Sequence, residues 1–228
     1  MYGGELVTMT QHAAHTHAAA NRPMIGGKAA ALMHLADAGV RVPAWHVIDA
    51  SSFAEILEER GCAQARTRAE LHLADGDAAA ASTTMMQALR AAAIPDHIMR
   101  TALDAWKALD HQTVAVRSSA IGEDGSEHSF AGQFDTVLGV RSEQELLDAL
   151  RTCWASAFSE RAMHYRMRHE LAPLEAAMAV IIQIQVDPIC SGVLFTGDPV
   201  TGDRDTALIS ACWGLGEALV SGRANADT

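Results

Sequence analysis

The sequence has no cysteine pair: Cys62, Cys153, Cys190 and Cys212 stand far apart in 228 residues and form no C-x-x-C. That scatter excludes a zinc knuckle and a disulfide framework, leaving reduced thiols suited to burial. Aromatic residues are scarce at 5%, whereas apolar residues reach 49% and alanine is abundant. The core must therefore be built from Leu, Val, Ile, Met and Ala, a composition that suits helices. No apolar run approaches the roughly 20 residues of a membrane-spanning helix, and the N-terminus lacks the basic-then-apolar order of a signal peptide. A cytoplasmic protein that does not enter a membrane is expected. Positive charge is short as well: 17 Lys and Arg against 28 Asp and Glu give a formal charge of -11. This balance argues against nucleic acid or an acidic membrane as a partner held by bulk attraction. An anionic ligand needs a local pocket of a few cations and backbone amides.

Familiar catalytic signatures are missing too. There is no Ser-His-Asp order, no H-E-x-x-H and no G-x-G-x-x-G, which disfavours serine hydrolase, zinc protease and dinucleotide readings. What is present is a mixture of helical and strand patterns, so the fold class is α+β. Residues 1–21 read as a flexible or strand-like lead-in, and its His12, His15 and His17 lack the nearby carboxylate or cysteine that would favour metal chelation. From Gly26 a helical run places Leu32 and Leu35 on one face and ends at Gly39. Val40–Pro43 and Trp45–Ile48 read as short strands, and Ser51 or Ser52 is positioned to cap a helix carrying Phe53, Ile56 and Leu57. Residues 62–110 are helical almost throughout, broken at Ile94-Pro95, with Asp75-Gly76-Asp77 a plain turn.

Beyond this scaffold, Thr113–Val116 predicts a buried strand from which Arg117-Ser118-Ser119 emerges. Phe134–Val140 returns as a strand, and Ser142 with Glu145 forms a capping-box pattern opening a helix with Leu146, Leu147, Leu150, Trp154 and Phe158 at helical spacing. Ala179–Val186 is the strongest strand pattern, followed by strands at 192–196 and 207–211 and a glycine turn with a short helical stretch over 213–222.

Four places carry chemistry. Gly26-Gly27-Lys28 offers exposed amides and a lysine at a helix start, an arrangement that receives phosphate or, alternatively, leaves a solvated lysine. It is not a Walker loop: residue 22 is Arg, and Ala29 stands where a magnesium-ligating Ser or Thr belongs. Arg117 leaves the end of a strand, where its planar fork clamps a phosphoryl group or pairs with Glu123 or Asp124. The small-residue loop Ser129-Phe130-Ala131-Gly132-Gln133 follows. Gln183 and Gln185, two apart on an apolar strand, face one way and want partners, either an adenine edge or neighbouring backbone. Glu217 accepts ribose hydroxyls, steers a metal or stabilises a short helix.

Six blocks occur in order: Ile25-Gly-Gly-Lys28; Val114-Ala-Val-Arg117-Ser-Ser-Ala120; Glu123-Asp124 with Ser129-Phe-Ala-Gly-Gln133; Cys153-Trp-Ala-Ser156; Ser191-Gly-Val-Leu-Phe-Thr196 with Asp198-Pro199; and Gly214-Leu-Gly-Glu217-Ala-Leu-Val220. In this order and approximate spacing they resemble the N-terminal ATP-binding domain of the phosphoenolpyruvate synthase, pyruvate, phosphate dikinase and rifampin phosphotransferase family. The resemblance runs from about residue 22 to residue 228. It implies an ATP-grasp-like fold whose second lobe is incomplete here. It also implies a phosphotransferase of the dikinase type, passing a phosphoryl group from ATP through a phosphohistidine domain to pyruvate or another small acceptor.

By position, Lys28 and Arg117 would contact the phosphates as the catalytic cations, the Ala131-Gly132 loop would cover them, Gln183 would lie by the adenine, and Glu217 would line the cleft. Magnesium would come with ATP, its side-chain ligands expected mainly beyond residue 228. The phosphohistidine and acceptor domains are expected there or on a partner chain, and none of the 11 histidines falls in a phosphohistidine context. Gly125–His128 departs from the family's Leu-Pro linker. The competing expectation is a non-catalytic nucleotide-binding or interaction module, or a split subunit, that self-associates through the surface its second lobe leaves uncovered.

Overall fold

The computed structural model describes residues 7–9, 24–121, 124–125, 128–129, 134–198 and 201–220. In chain order they form β1 (Val7–Met9), α1 (Gly26–Asp37), β2 (Trp45–Ile48), α2 (Ala50–Glu58), α3 (Arg60–Ala74), α4 (Ala78–Ala91) and α5 (Asp96–Ala108). Then come β3 (Val114–Ala120), the two-residue strands β4 (Asp124–Gly125) and β5 (His128–Ser129), β6 (Thr136–Val140), α6 (Glu143–Ser156), α7 (Glu160–Arg168), β7 (Met178–Ile184), β8 (Cys190–Phe195), β9 (Leu208–Trp213) and α8 (Glu217–Val220). Helices and strands are mixed, with antiparallel pairing throughout, an α+β arrangement. Among the described residues no helix is long and apolar enough to cross a membrane. The chain divides into two compact units, Met1–Gln185 and Val186–Thr228.

The first unit is organised by a five-stranded sheet in the order β1-β2-β7-β3-β6. Its central strand β7 carries the longest apolar run of the sheet and pairs with β3 in register from Val114 with Ile184 to Ala120 with Met178. Because side chains alternate, this register gives each face its own set. Val114, Val116, Ala120, Met178, Val180, Ile182 and Ile48 join the large core shared with α2–α6 and Met163 of α7. Trp154, Phe53 and Phe158 are its largest fully buried side chains, each worth about 1.5–3 kcal/mol of burial. On the other face Trp45, Val47, Ala179 and Ile181 pack with Ile25, Ala29 and Met33 around α1. With both faces covered, all four residues of β2 are buried, so its burial does not alternate.

Helix ends follow their local chemistry. Ser142 accepts from the Glu145 amide at 3.2 Å, while the Glu145 carboxylate accepts from the Arg141 N–H at 2.7 Å. The capping pattern thus forms, with the return bond one residue earlier than the motif prescribes. Asp77 caps α4 through the Ala80 N–H at 2.8 Å, consistent with a plain turn at 75–77. Past α1, Gly39 N–H donates to Ala36 and Val40 N–H to Leu35, both at 2.9 Å, a Schellman closure that needs the positive φ of Gly39. Arg166 is buried to 5% exposure, donating to the carbonyls of Pro173 at 3.0 Å and Ala157 at 2.6 Å. Ala157 is the C-cap of α6, so the guanidinium meets the negative end of that helix. Burial lowers the pKa of Arg166 to about 10.

Three local expectations are corrected. The cap of α2 is Asp49, which accepts from the Ser51 N–H at 3.0 Å, rather than Ser51 or Ser52. Residues 40–43 are not a strand, because β2 already has β1 and β7 as its two neighbours. Leu35 is 41% exposed: the inward stripe of α1 is Ile25, Ala29 and Met33, at spacing four.

The second unit is a hairpin of β8 and β9, paired from Cys190 with Trp213 to Phe195 with Leu208. Strand β9 starts one residue later and runs two residues further than the sequence pattern predicts. Between the strands, Asp203 accepts from the Thr206 hydroxyl at 2.7 Å and the Asp205 N–H at 2.9 Å. Those bonds hold its carboxyl below the usual range. Ser191 donates to the Gly214 carbonyl at 2.6 Å, fixing the turn that leads into α8.

Candidate functional site

The site is built on β3, where alternation gives each residue of Arg117-Ser118-Ser119 a separate task. Arg117 lies on the α1 face, in register with Ile181. Its Nη1 donates to Gln183 Oε1 at 2.9 Å, and Gln183 Nε2 donates to the Pro43 carbonyl at 3.3 Å. Gln183 is only 6% exposed, so both ends of its amide are held and its carbonyl fixes one edge of the guanidinium. Gln185 takes the backbone alternative, its Oε1 accepting from the Gly139 N–H at 2.6 Å.

Ser118 points the other way, into the helical layer. Its hydroxyl donates to the Asp135 carbonyl at 2.8 Å and lies 3.2 Å from Ser156 Oγ, which donates to the Cys153 carbonyl at 2.7 Å. The Cys153 thiol donates to the Val116 carbonyl at 3.5 Å. This node ties α6 and the segment before β6 to β3, and it accounts for the Cys-Trp-Ala-Ser block: Cys153 and Ser156 meet the strand, while Trp154 and Ala155 are buried in the core. Burial pushes the thiol up to about 12, outweighing the Ser118 hydrogen bond, so Cys153 is an inert structural group.

Ser119 faces α1 again. Its hydroxyl donates to the Ile25 carbonyl at 2.8 Å and accepts from the Ala29 N–H at 3.2 Å. Gly26, at φ +74°, packs so closely that a Cβ there would lie 2.5 Å from Ser119 Oγ and nearer still to its carbonyl oxygen. Lys28, in the opening turn of α1, donates from Nζ to the Ser118 carbonyl at 3.1 Å and sits 5.8 Å from the centroid of the Phe134 ring. Lys28 is thus held by the strand residue that follows Arg117, and both cations lie on the α1 side of β3 in a protein of net charge -11.

Of the expected residues, Lys28, Arg117 and Gln183 come together on the α1 face of the first unit. Ala131 and Gly132 lie outside the described residues. Glu217 is exposed at the start of α8 in the second unit. Sequence reasoning did not single out Ser118, Ser119 and Phe134, whose roles depend on contacts across 17 to 106 residues that no local pattern encodes. Among the described residues no group of three or more His, Cys, Asp or Glu could hold a metal ion, so they do not by themselves form a magnesium cage. What they offer is two held cations, Lys28 in the opening turn of α1 and Arg117 on the face of β3 that α1 covers, a type of group that suits a phosphorylated anion.

Comparison with known proteins places the chain in a family. Residues 22–228 match the family model described as the pyruvate phosphate dikinase AMP/ATP-binding domain. The chain is 40% identical to the prodigiosin synthesizing transferase PigC of Serratia marcescens over 90% of its length, covering 22% of that protein. It is 36% identical to phosphoenolpyruvate synthase of Aeropyrum pernix over 90% of its length, covering 26% of that protein. To a rifampicin phosphotransferase of Streptomyces it is 39% identical over 92% of its length, covering 25% of that protein. The chain thus spans about a quarter of each of these relatives. It belongs to the pyruvate phosphate dikinase AMP/ATP-binding domain family.

Proposed function

We propose that residues 22–228 act as one ATP-grasp-like domain, with residues 1–21 as its lead-in, and that Lys28 and Arg117 hold the phosphates of ATP. The observation that carries this reading is the convergence of Lys28 Nζ on the Ser118 carbonyl, next to Arg117. A transferring phosphoryl group spreads negative charge over its oxygens, and two cations held by Ser118, Phe134 and Gln183 meet that charge without reorganising. Gln183 serves first as the partner that orients Arg117, and the adenine lies on its remaining polar valences. For Ala131, Gly132, Glu217 and an accompanying magnesium ion, the resemblance alone carries the expectation.

In the complete reaction the phosphoryl group would pass from ATP to a histidine of a further domain or partner chain, and from there to a small acceptor, in the cytoplasm. Calorimetric titration of the 228-residue chain with ATP and magnesium tests the binding step. Saturable heat that Lys28→Ala and Arg117→Ala each weaken at least about tenfold is expected, as for lost charge-assisted bonds. No heat with the wild-type chain overturns the reading.

A second reading, self-association, is favoured by one face of the hairpin. Leu194, Ile209 and Trp213 share that face and are 58%, 60% and 81% exposed. Size-exclusion chromatography distinguishes it: a concentration-dependent dimer supports association, and a monomer at all concentrations rejects it.

A further inference from the structure

The helix that presents Lys28 has no cap of its own. Its N-cap is Ile25, which offers no side-chain acceptor, and its first turn contains no acidic residue. Two glycines open that turn, and glycine is the residue most costly to order in a helix. Left to local sequence, the Gly26-Gly27-Lys28 turn should fray, and the Lys28 ammonium would move with it.

Ser119 supplies what the helix lacks from 90 residues away. The first i→i−4 bond of α1 would join the Ala29 N–H to the Ile25 carbonyl, and the Ser119 hydroxyl bridges these same two groups, accepting at 3.2 Å and donating at 2.8 Å. Ser119 is fully buried, so water does not compete for the hydroxyl. The missing Cβ of Gly26 is what allows the strand to come this close. Ser118 then receives the Lys28 ammonium on its carbonyl oxygen. Consecutive residues of β3 thus hold the backbone and the tip of the phosphate-binding lysine.

We propose that Ser119 is a positioning residue for nucleotide phosphate: by bridging Ile25 and Ala29 it fixes the opening turn of α1 and sets where Lys28 meets the phosphates. The inference rests on the assignment of Lys28 to ATP phosphate. It is specific about what Ser119 controls: binding of the phosphates, through Lys28, and not of the nucleoside.

Titration of the full chain with ATP, ADP and adenosine, in wild type, Ser119→Ala, Lys28→Ala and the double variant, tests it. Ser119→Ala should weaken ATP and ADP about tenfold and change adenosine affinity less than about twofold. In the Lys28→Ala background the same substitution should weaken ATP less than about twofold, because the group it positions is gone. A Ser119→Ala effect of equal size on ATP and adenosine, or one that persists in full without Lys28, means that Ser119 supports only the fold and overturns the proposal. So does a Ser119→Ala variant that binds ATP like wild type while Lys28→Ala does not. Absence of ATP binding in the wild-type chain instead defeats the nucleotide assignment itself, and the inference with it. Should Ser119→Ala fail to fold, as judged by circular dichroism, Ser119→Cys provides the readout. Its thiol keeps the site filled but bonds weakly, and the same selectivity for phosphate is expected.

Discussion

Along β3, Val114, Val116 and Ser118 turn toward the helical layer while Ala115, Arg117 and Ser119 turn toward α1, and the two faces built from this alternation differ in kind. The helical face is a thick apolar core whose buried polar side chains are tied to one another, as at Ser118 and Ser156, or to backbone carbonyls, as at Ser82 and Arg166, while the Trp154 indole N–H is buried without a partner among the described residues. The α1 face is thin: among the described residues a cluster of seven buried apolar side chains, one helix, and a margin of Lys28, Arg117 and Gln183. The thick face supplies rigidity, and the thin one carries the proposed nucleotide site. A site that must admit a charged ligand cannot be closed over by a deep core, so its precision has to come from the strands beneath it.

Substitutions can separate the two contributions. The largest effect should come from the thick face: Trp154→Ala removes the largest fully buried side chain of α6 and should cost about 3–5 kcal/mol, read as a fall in the urea midpoint. Nucleotide binding should be lost only to the extent that the protein unfolds. At the joint between α1 and β3, Gly26→Ala forces a Cβ against the Ser119 carbonyl at a positive φ and should cost about 2–3 kcal/mol. Unlike Trp154→Ala, it should weaken ATP binding in the fraction that remains folded, since the turn carrying Lys28 has to shift. Equal affinity for ATP per folded molecule in the two variants would erase the distinction between the faces. Smaller still, Gln183→Met leaves Arg117 and the Pro43 carbonyl each short of a partner. It should cost about 1–2 kcal/mol in stability while lowering ATP affinity through a looser guanidinium.

The thick face was largely legible in the sequence, because its signals are local and repeated. The period of Leu146, Leu147, Leu150, Trp154 and Phe158 predicts a buried helix face; all but the partly buried Leu147 are fully buried, with Phe158 just past the end of α6. Ser142 and the break at Ile94-Pro95 likewise mark observed boundaries. The thin face was legible only in part. Lys28, Arg117 and Gln183 stood out as cations and an amide in unusual settings, but their mutual contacts depend on strand order, and no short-range pattern reveals that β7 lies between β2 and β3. Leu35 misled for a related reason. Leu32 and Leu35 fit a helical stripe equally well, and the choice of inner face was made by Trp45, Val47 and Ile181 packing on Ile25 and Ala29. Two serines close to Asp49 offer equally plausible caps in the sequence, but it is the Asp49 carboxylate that accepts from the Ser51 N–H.

The smallest predicted effect concerns the polar node within the thick face, and its sign follows from the direction of one pKa. Burial raises the Cys153 thiol from 9.0 to about 12, so between these values the unfolded chain releases a proton that the folded chain retains. Folding then binds more protons than unfolding, and stability must fall as pH rises above about 9; below that pH both states hold the proton and the thiol contributes no slope. From pH 8 to pH 10 the loss should be about 1 kcal/mol. Arg166, whose pKa is lowered to about 10 by burial, gives an opposite slope at higher pH, so the comparison goes no higher than pH 10 and is made against Cys153→Ala, in which Arg166 is unchanged. Urea melts of both proteins at pH 8 and pH 10 should show the wild type losing about 1 kcal/mol more than the variant. Parallel losses would mean that the thiol is reached by water in the folded protein, and that the helical face is less sealed than its packing implies.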